Sequence, residues 1–205
     1  MTKESQCIAV LDTETLARYD DAIVLSVGLV VADINREYTF DELVAKQSLF
    51  FRLDAVEQAR RGRKREARTI EWWKSDKSVS DAAREKSFYS KPDTVFTRLE
   101  DIGKVMSNFC RELGVEPRGI MWFDRNAFDF KKLQHIIEIE CGQVDQEPWH
   151  YHNTTEIVSF LRGCGVTDRY AGVRPSDYPQ MVYHDPVHDS VLDFLRIQKV
   201  MSGEV

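Results

Sequence analysis

Apolar runs of strand length dominate the first quarter of the chain. The run at residues 7–12 is continuous, which is typical of a strand buried on both faces. A second run covers 22–32 and includes a tolerated Gly28, and a third at 47–53 alternates as a partly exposed strand does. Because the connections between these runs are short, we predict three consecutive strands in an antiparallel meander.

From residue 54 onward the spacing of apolar positions becomes mainly helical. The pattern predicts helices at 54–61, from Thr69 as N-cap, and at 93–113, 127–141, 155–161 and 186–201. Shorter strands are predicted at 119–123 and 149–152, and loops with short helices at 75–92. Gly114 and Gly142 should end two of the helices, and Asp185 followed by Pro186 should begin the last one.

The order of these elements predicts the fold class. A meander followed by alternating strands and helices is typical of an α/β protein with a five-stranded mixed sheet flanked by helices. Right-handed connections would place the strand at 119–123 beside the first strand, so that Asp12 and residues 124–129 approach each other. The length and the 42% of hydrophobic residues fit one domain over 1–205, with a basic, aromatic helical insertion at about 54–92.

Charge and cysteine usage narrow the class of protein. The net charge of −6 does not exclude a partner that carries phosphates, because six basic residues are concentrated at 60–68. The four cysteines form no Cys-x-x-Cys pair, which favours a reducing intracellular setting over a disulfide framework or a zinc site. We expect a cytoplasmic protein without a membrane partner, since neither a signal peptide nor an apolar run of spanning length is found.

Two carboxylates one residue apart end the first strand. Side chains alternate along a strand, so Asp12 and Glu14 point to the same side. Acids held so close repel each other unless a cation lies between them, and carboxylate oxygens suit Mg²⁺ or Mn²⁺. The alternative is a strand that ends in a polar turn, with Asp12 as its cap. These two residues alone do not decide between the alternatives.

Further acids and a histidine lie at other element ends. Asp124 or Asp129 could face the first pair, although the helix macrodipole also explains a carboxylate at a helix start. Near the C-terminus, Asp185 caps the last helix, His184 precedes it in a loop, and Asp189 lies in its first turn. A lone histidine there would be explained as an exposed or capping residue. Four acids and a histidine near element ends are more than folding requires.

These clusters resemble the three motifs of the DEDDh 3′–5′ exonucleases. The matching stretches are Asp-Thr-Glu at 12–14, Phe128-Asp129 after a strand that contains tryptophan, and His184 followed five residues later by Asp189. Each motif alone is weakly specific, but three in order at domain-scale spacing are strong. The resemblance implies a ribonuclease-H-like fold with a five-stranded mixed sheet, in agreement with the element order predicted above.

A closer resemblance is to the phage exodeoxyribonuclease of the DexA type. It depends on Thr69-Ile-Glu-Trp-Trp-Lys, Phe128-Asp-Phe and His184-Asp-x-x-His-Asp, and it extends from about Val10 to Met201. It implies a phage-encoded protein in the host cytoplasm. Many relatives have a glycine a few residues before Phe-Asp, where this chain has Arg125 and Asn126. This departure leaves the backbone path of that loop open.

The resemblance also implies the ligands, the cofactor and the reaction. The metal ligands would be Asp12, Glu14, Asp129 and Asp189, with His184 as the general base. The cofactor would be two Mg²⁺ ions, with Mn²⁺ as a substitute. We expect 3′–5′ hydrolysis of single-stranded DNA to nucleoside 5′-monophosphates, with an exoribonuclease as the alternative. An HD-type phosphohydrolase would need further histidines on helices, and an inactive nucleic-acid-binding domain would be expected to have lost some of the motif acids.

Four residues beside the motifs are expected to contact single-stranded nucleic acid: Thr13, Trp73, Arg125 and Phe128. Cations at Arg60–Arg68 would hold backbone phosphates, and aromatic faces at Trp72-Trp73 would stack on unpaired bases. The alternatives are a solvated loop for the basic segment and core positions for the tryptophans. A homodimer is compatible with the sequence but not indicated by it.

Overall fold

The computed structural model describes residues 6–204 as a five-stranded mixed sheet with helices on both faces. The strands are β1 Cys7–Thr15, β2 Val24–Asp33, β3 Ser48–Arg52, β4 Met121–Asp124 and β5 Thr154–Glu156, in the order β3-β2-β1-β4-β5. The pairs β3-β2 and β2-β1 are antiparallel, and β1-β4 and β4-β5 are parallel. The predicted α/β class, the meander and the neighbouring first and fourth strands are confirmed.

Eight α-helices follow in chain order within residues 6–204. They are α1 Phe40–Lys46, α2 Ala55–Arg60, α3 Ala67–Ser75, α4 Asp81–Ala83, α5 Ile102–Glu112, α6 Asp129–Gln134, α7 Ile157–Gly163 and α8 Pro186–Met201. Two of them continue as π-helical turns, α4 into Arg84–Phe88 and α6 into His135–Glu140. None of these helices has the length and apolar composition needed to cross a membrane. The expectation of a chain start without a signal peptide involves residues 1–5, which lie outside the described residues.

Several predicted helix bounds are wrong for identifiable local reasons. Helix α1 lies where a bare connection was expected, and its capping box between Thr39 and Glu42 was a sequence signal for it. Helix α3 begins at Ala67 after Glu66, so Thr69 is inside the helix and is not its N-cap. Helix α5 begins at Ile102 and not near 93, because Val95 is 86% exposed and has no core to face.

The predicted fifth strand at 149–152 is also wrong. Trp149 is buried against Trp122 and Phe130, with ring centroids 5.6 and 5.0 Å away. Its apolar character therefore reflects packing under α6 and not strand pairing. The strand that pairs with β4 is the three-residue β5. The caps predicted for α8 are confirmed, since Asp185 accepts a hydrogen bond from the Val187 amide and Pro186 is the first helical residue.

The alternation of β1 divides the core into two layers. Ile8 and Val10 face a layer built with α7 and α8, and Ala9 and Leu11 face a layer built with α5 and α6. By the same alternation, Asp12 falls on the α8 side of the sheet. The carboxyl end of β1 therefore lies between α8 on one face and the beginning of α6 on the other.

The start of α8 lies directly on the sheet at Gly28 of β2. Gly28 pairs with Asp12 across the β1-β2 ladder. A Cβ atom at this glycine would lie 2.2 Å from the carbonyl carbon of Pro186 and 2.4 Å from the Val187 nitrogen. The absence of a side chain thus permits the first turn of α8, which carries Asp189, to approach Asp12.

We expect Gly28→Ala to destabilise the protein by about 1–3 kcal/mol, because backbone atoms of α8 cannot yield to a methyl group without a shift of the helix. A shifted helix start should also lower any activity of this site about tenfold or more. Gly163→Ala is the matched control, since a Cβ at Gly163 meets nothing within 4 Å at the end of α7. Urea unfolding of both variants measures the difference, and equal stabilities would contradict the role of Gly28.

Candidate active site

A cavity of about 520 Å³ opens where β1, β4, α6 and α8 meet. Its lining contains all five predicted catalytic residues and three of the four predicted substrate contacts. These are Asp12, Thr13, Glu14, Arg125, Phe128, Asp129, His184 and Asp189. The remaining predicted contact, Trp73, is not part of the lining. Residues from three separate regions of the sequence, at 12–14, 125–129 and 184–189, thus share one space.

The tightest group in the cavity consists of Glu14, His184 and Asp189. One ligand atom from each lies within 4.8 Å of the other two. His184 Nδ1 lies 3.7 Å from Glu14 Oε1, and the His184 main-chain amide donates to Asp189 Oδ2 at 3.1 Å. Asp12 and Asp129 line the same cavity without joining this group.

The loop that carries His184 is held in a constrained conformation. His184 has a φ of 63°, a region that residues other than glycine and asparagine rarely adopt. The Trp72 indole meets the imidazole edge-on, with ring centroids 4.7 Å apart. Behind the loop, buried Asp185 accepts a hydrogen bond from Lys86 Nζ at 2.5 Å, and His188 Nδ1 accepts one from the Val182 amide. These contacts fix the position of the imidazole beside Glu14.

Asp129 is positioned by Thr13. The Thr13 side chain points to the opposite face of β1 from that of Asp12. Both the amide and the hydroxyl of Thr13 donate to Asp129 Oδ1, at 3.0 and 2.5 Å. Thr13 is buried and its amide and hydroxyl both bind Asp129, and its contact with a substrate stays a prediction. The open choice between Asp124 and Asp129 is also resolved. Asp124 is fully buried, and its Oδ2 accepts from the amides of Asp129 and Phe130, which caps α6.

The carboxylates of the cavity destabilise each other's charge. Burial raises the pKa of Asp12 well above its usual range, and the nearby charges of Asp129 and Asp189 raise it further. Burial and then the charge of Glu14 raise the pKa of Asp189 to about 7. For His184, burial lowers the pKa, although Asp189 opposes this shift. The imidazole is therefore neutral at neutral pH and can accept a proton.

This donor set fits divalent cations. Among residues 6–204, no lysine or arginine lies within ion-pair distance of Asp12, Asp129 or Asp189. A cluster of buried and half-buried carboxylates without a paired lysine or arginine is what hard, oxygen-seeking ions such as Mg²⁺ and Mn²⁺ offset. The ligands would be these three acids and Glu14.

One further acid near the cavity has a different role. Asp193 lies one helical turn beyond Asp189, where it accepts hydrogen bonds from the guanidinium groups of Arg125 and Arg196. The distance from Arg125 Nε to Asp193 Oδ2 is 3.0 Å. Asp193 was not among the predicted site residues, because its helical spacing from Asp189 equally fits a solvated face. The predicted substrate contact Arg125 lines the cavity but is oriented by Asp193.

The loop after β4 has the backbone conformation that a glycine would favour. Asn126 and Ala127 have φ values of 64° and 51°. Asparagine tolerates this region, and the main-chain amide of Asn126 donates to Glu156 Oε1 at 2.9 Å. The path that the sequence left open is thus a left-handed turn, which brings Phe128 to the cavity wall. Lys132 is buried below it, and its Nζ donates to the Phe128 carbonyl at 3.0 Å.

Of the two adjacent tryptophans, Trp73 takes the core position that was the alternative to a substrate contact, and its contact with a substrate stays an untested prediction. Trp73 is fully buried, its Nε1 donates to the Thr15 carbonyl at 3.1 Å, and its ring stacks on Phe88. It anchors α3 to the end of β1. Its neighbour Trp72 is only half-buried and contacts His184. The choice between the two could not be made from the sequence, because adjacent residues on a helix point apart and either one could face the core.

The basic segment at 60–68 is not a uniform substrate surface. Arg61 pairs with Glu57 and Glu100, and Lys64 pairs with Asp21. Arg63 is buried and pairs with Glu140, and its guanidinium also donates to the Ala22 carbonyl. These three cations therefore stabilise the fold. Arg60, Arg65 and Arg68 are exposed and remain as candidates for contacts with a ligand.

Solved structures of two proteins share this fold. S. pombe Pop2p in its Mg²⁺- and Mn²⁺-bound form matches with a TM-score of 0.58 at 11% identity, over 95% of this chain and 82% of that one. E. coli exonuclease I in complex with a 5cy-dA13 oligonucleotide matches with a TM-score of 0.54 at 12% identity, over 96% of this chain and 40% of that one. This chain thus spans about two fifths of the length of exonuclease I. At these identities the likeness shows the fold alone.

Comparison with sequences identifies the family. A search of curated protein sequences finds no match. A family model described as the 3′-5′ exoribonuclease Rv2179c-like domain matches residues 7–193. Taken with the fold and the acidic cavity, this match defines a 3′–5′ exonuclease of the DEDD class with a ribonuclease-H-like fold. The chain belongs to the 3′-5′ exoribonuclease Rv2179c-like domain family. The exonuclease class predicted from the motifs is confirmed, whereas the DexA type and a phage origin stay predictions.

Proposed function

We propose that this protein is a metal-dependent exonuclease that removes nucleoside 5′-monophosphates from the 3′ end of single-stranded RNA. The observation that carries the proposal is the group of Glu14, His184 and Asp189 within 4.8 Å of one another, in the cavity that also holds Asp12 and Asp129. The whole chain would act as one exonuclease domain, to which the helical segment at 54–92 contributes Trp72 beside His184.

The four carboxylates, His184 and the aromatic residues of the cavity would have different roles in hydrolysis. Two divalent cations held by the four carboxylates would lower the pKa of a water molecule and offset the charge of the phosphodiester. His184 takes up the proton of the attacking water at its unprotonated ring nitrogen, because burial keeps the imidazole neutral. Glu14 and Trp72, which contact this ring, keep it in place. Phe128 and Tyr183 form walls of the cavity on which a terminal base can stack.

We favour RNA over DNA as the substrate because the family model that matches residues 7–193 is described as an exoribonuclease domain. The motif resemblance to an exodeoxyribonuclease depends on a few short stretches, and it supports DNA as the second candidate. Discrimination between the two depends on contacts at the ribose 2′ position.

We expect 5′-labelled single-stranded RNA with Mg²⁺ to give a ladder that shortens from the 3′ end, with mononucleotides as the released product. EDTA should abolish the activity, and Mg²⁺ or Mn²⁺ should restore it, because neutralisation of the carboxylates is needed before an anionic substrate can enter. DNA of equal length and sequence is the matched substrate, and we expect RNA to be cleaved about tenfold faster or more.

Different results would separate the parts of this proposal. Faster cleavage of DNA would reverse the substrate order and leave the exonuclease in place. Internal cuts, or cleavage of a 3′-blocked strand at the normal rate, would contradict an exonuclease that begins at the 3′ end. Full activity in EDTA would contradict the metal requirement.

A further inference from the structure

A second cavity, of about 500 Å³, adjoins the acidic one. It is lined by Arg18, Glu66, Ala67, Arg68, Thr69 and Trp72, and we refer to it as the side groove. Arg18 lines both cavities. Trp72 lies at the boundary, because its indole contacts the side groove and meets the ring of His184 at a centroid distance of 4.7 Å. A ligand too long for the acidic cavity can therefore continue past Trp72 into the side groove.

Two cations of the side groove have no internal carboxylate partner. Arg61, Arg63 and Lys64 are paired with acids away from the groove. Arg18 and Arg68 are exposed, and neither has a carboxylate within ion-pair distance among residues 6–204. Free guanidinium groups beside a catalytic cavity are suited to bind phosphate oxygens.

The groove also holds one carboxylate, so its two arginines leave it with one net positive charge. Glu66 also lines it, and the Thr69 hydroxyl donates to Glu66 Oε2 at 3.2 Å. This contact holds the carboxylate toward the first turn of α3. On the far wall of the acidic cavity, Arg125 and Arg196 are occupied by Asp193. The side-groove arginines are thus better placed than this pair to bind a chain of phosphates.

We infer that the side groove binds the nucleotide that precedes the scissile phosphodiester of a single-stranded substrate. Arg18 and Arg68 bind its backbone phosphates, and the half-buried indole of Trp72 contacts its base. The inference rests on the proposed exonuclease function. It assigns a direction to the strand, with the 3′-terminal nucleotide among the acids and the upstream nucleotides running along α3.

Two substrates of different length test this placement. A p-nitrophenyl ester of a nucleoside 5′-monophosphate fills only the acidic cavity, whereas a 5′-labelled ten-nucleotide strand reaches the groove. We expect Arg68→Ala to lower the ratio of kcat/KM for the strand to kcat/KM for the ester about tenfold, mainly through KM for the strand. Trp72→Ala should lower the same ratio about tenfold or more, because the base no longer stacks on the indole. Lys74→Ala, which removes one charge from the same helix outside both cavities, should leave the ratio unchanged.

The salt dependence of strand binding distinguishes a phosphate contact of Arg68 from a purely structural role, which would leave that dependence unchanged. Removal of one cation that binds a phosphate should reduce the slope of log Kd against log salt by about 0.7 for a single strand, here measured by fluorescence anisotropy with a labelled strand. We expect this change in Arg68→Ala, and not in Arg68→Lys or Lys74→Ala. Equal slopes and equal ratios in Arg68→Ala and Lys74→Ala would overturn the side groove. Normal Arg68-dependent binding without release of mononucleotides would overturn the proposed activity and leave the groove intact.

Discussion

Asp12→Asn is expected to lower exonuclease activity by at least about 10³-fold and, at the same time, to stabilise the protein in the absence of metal. Activity falls because Asp12 is one of the four carboxylates proposed to hold the cations, and asparagine removes its charge. Stability rises because Asp12 is a half-buried carboxylate whose pKa is raised by desolvation and by the charges of Asp129, Asp189 and Glu14. Removal of one like charge from such a cluster should raise the free energy of unfolding in EDTA by about 1–2 kcal/mol.

Asp193→Asn is the matched control for this prediction. Asp193 is buried, and it faces the guanidinium groups of Arg125 and Arg196. The substitution should lower the free energy of unfolding by about 3 kcal/mol, because it leaves two partly buried cations with their partner neutralised. Opposite signs for the two variants in urea unfolding with EDTA are the expected result. Loss of stability in both would mean that the acids of the cavity do not repel one another.

Added Mg²⁺ gives a second measure of the same charge cluster. A cation that binds only the folded protein stabilises it, by about 2.7 kcal/mol at a concentration one hundred times its Kd. We expect this stabilisation in the wild type and in Asp193→Asn, and little of it in Asp12→Asn. Recovery of Asp12→Asn activity at high Mg²⁺ would show that Asp12 is not a central ligand.

The sequence was sufficient for the parts of the site that depend on local periodicity. The apolar run of β1 and strict alternation along a strand place Asp12 on a defined face. The Asp185-Pro186 start of α8 fixes the turn that carries Asp189. The face of Asp12 and the start of α8 are each decided within a few residues. The position of β4 beside β1 was predicted separately, from the order of helices and strands.

The parts that could not be predicted depend on contacts between distant residues. Asp193 and its partner Arg125 are 68 residues apart, and no local pattern connects them. Asp124 precedes α6 and Asp129 is its first residue. Only the hydrogen bonds from the amides of Asp129 and Phe130 show that Asp124 caps the helix. The choice between Trp72 and Trp73 depends on which side of α3 packs against the end of β1, and only the distant contact of Trp73 with the Thr15 carbonyl shows it.

His184→Asn is expected to lower kcat by about 10²–10⁴-fold with little change in KM, because the proton of the attacking water loses its acceptor. Asparagine is the sharper replacement, since it tolerates the φ of 63° at this position better than alanine does. The variant should therefore keep the loop that holds Asp189, and its free energy of unfolding should stay close to that of the wild type. His152→Asn, at an exposed position that does not line the cavity, is the control for the substitution itself.

The same variant distinguishes two roles that the geometry of His184 permits. The imidazole is close enough to Glu14 and Asp189 to share a cation with them, so it could act as a ligand instead of a base. A ligand role predicts that excess Mn²⁺ restores activity in His184→Asn and that the apparent metal affinity is weakened. A base role predicts a low kcat at every metal concentration with unchanged metal affinity. We expect the second result, because the contacts from Trp72 and the main-chain bond to Asp189 orient the ring toward the cavity and leave one ring nitrogen free. A kcat within threefold of the wild type would exclude His184 from proton transfer.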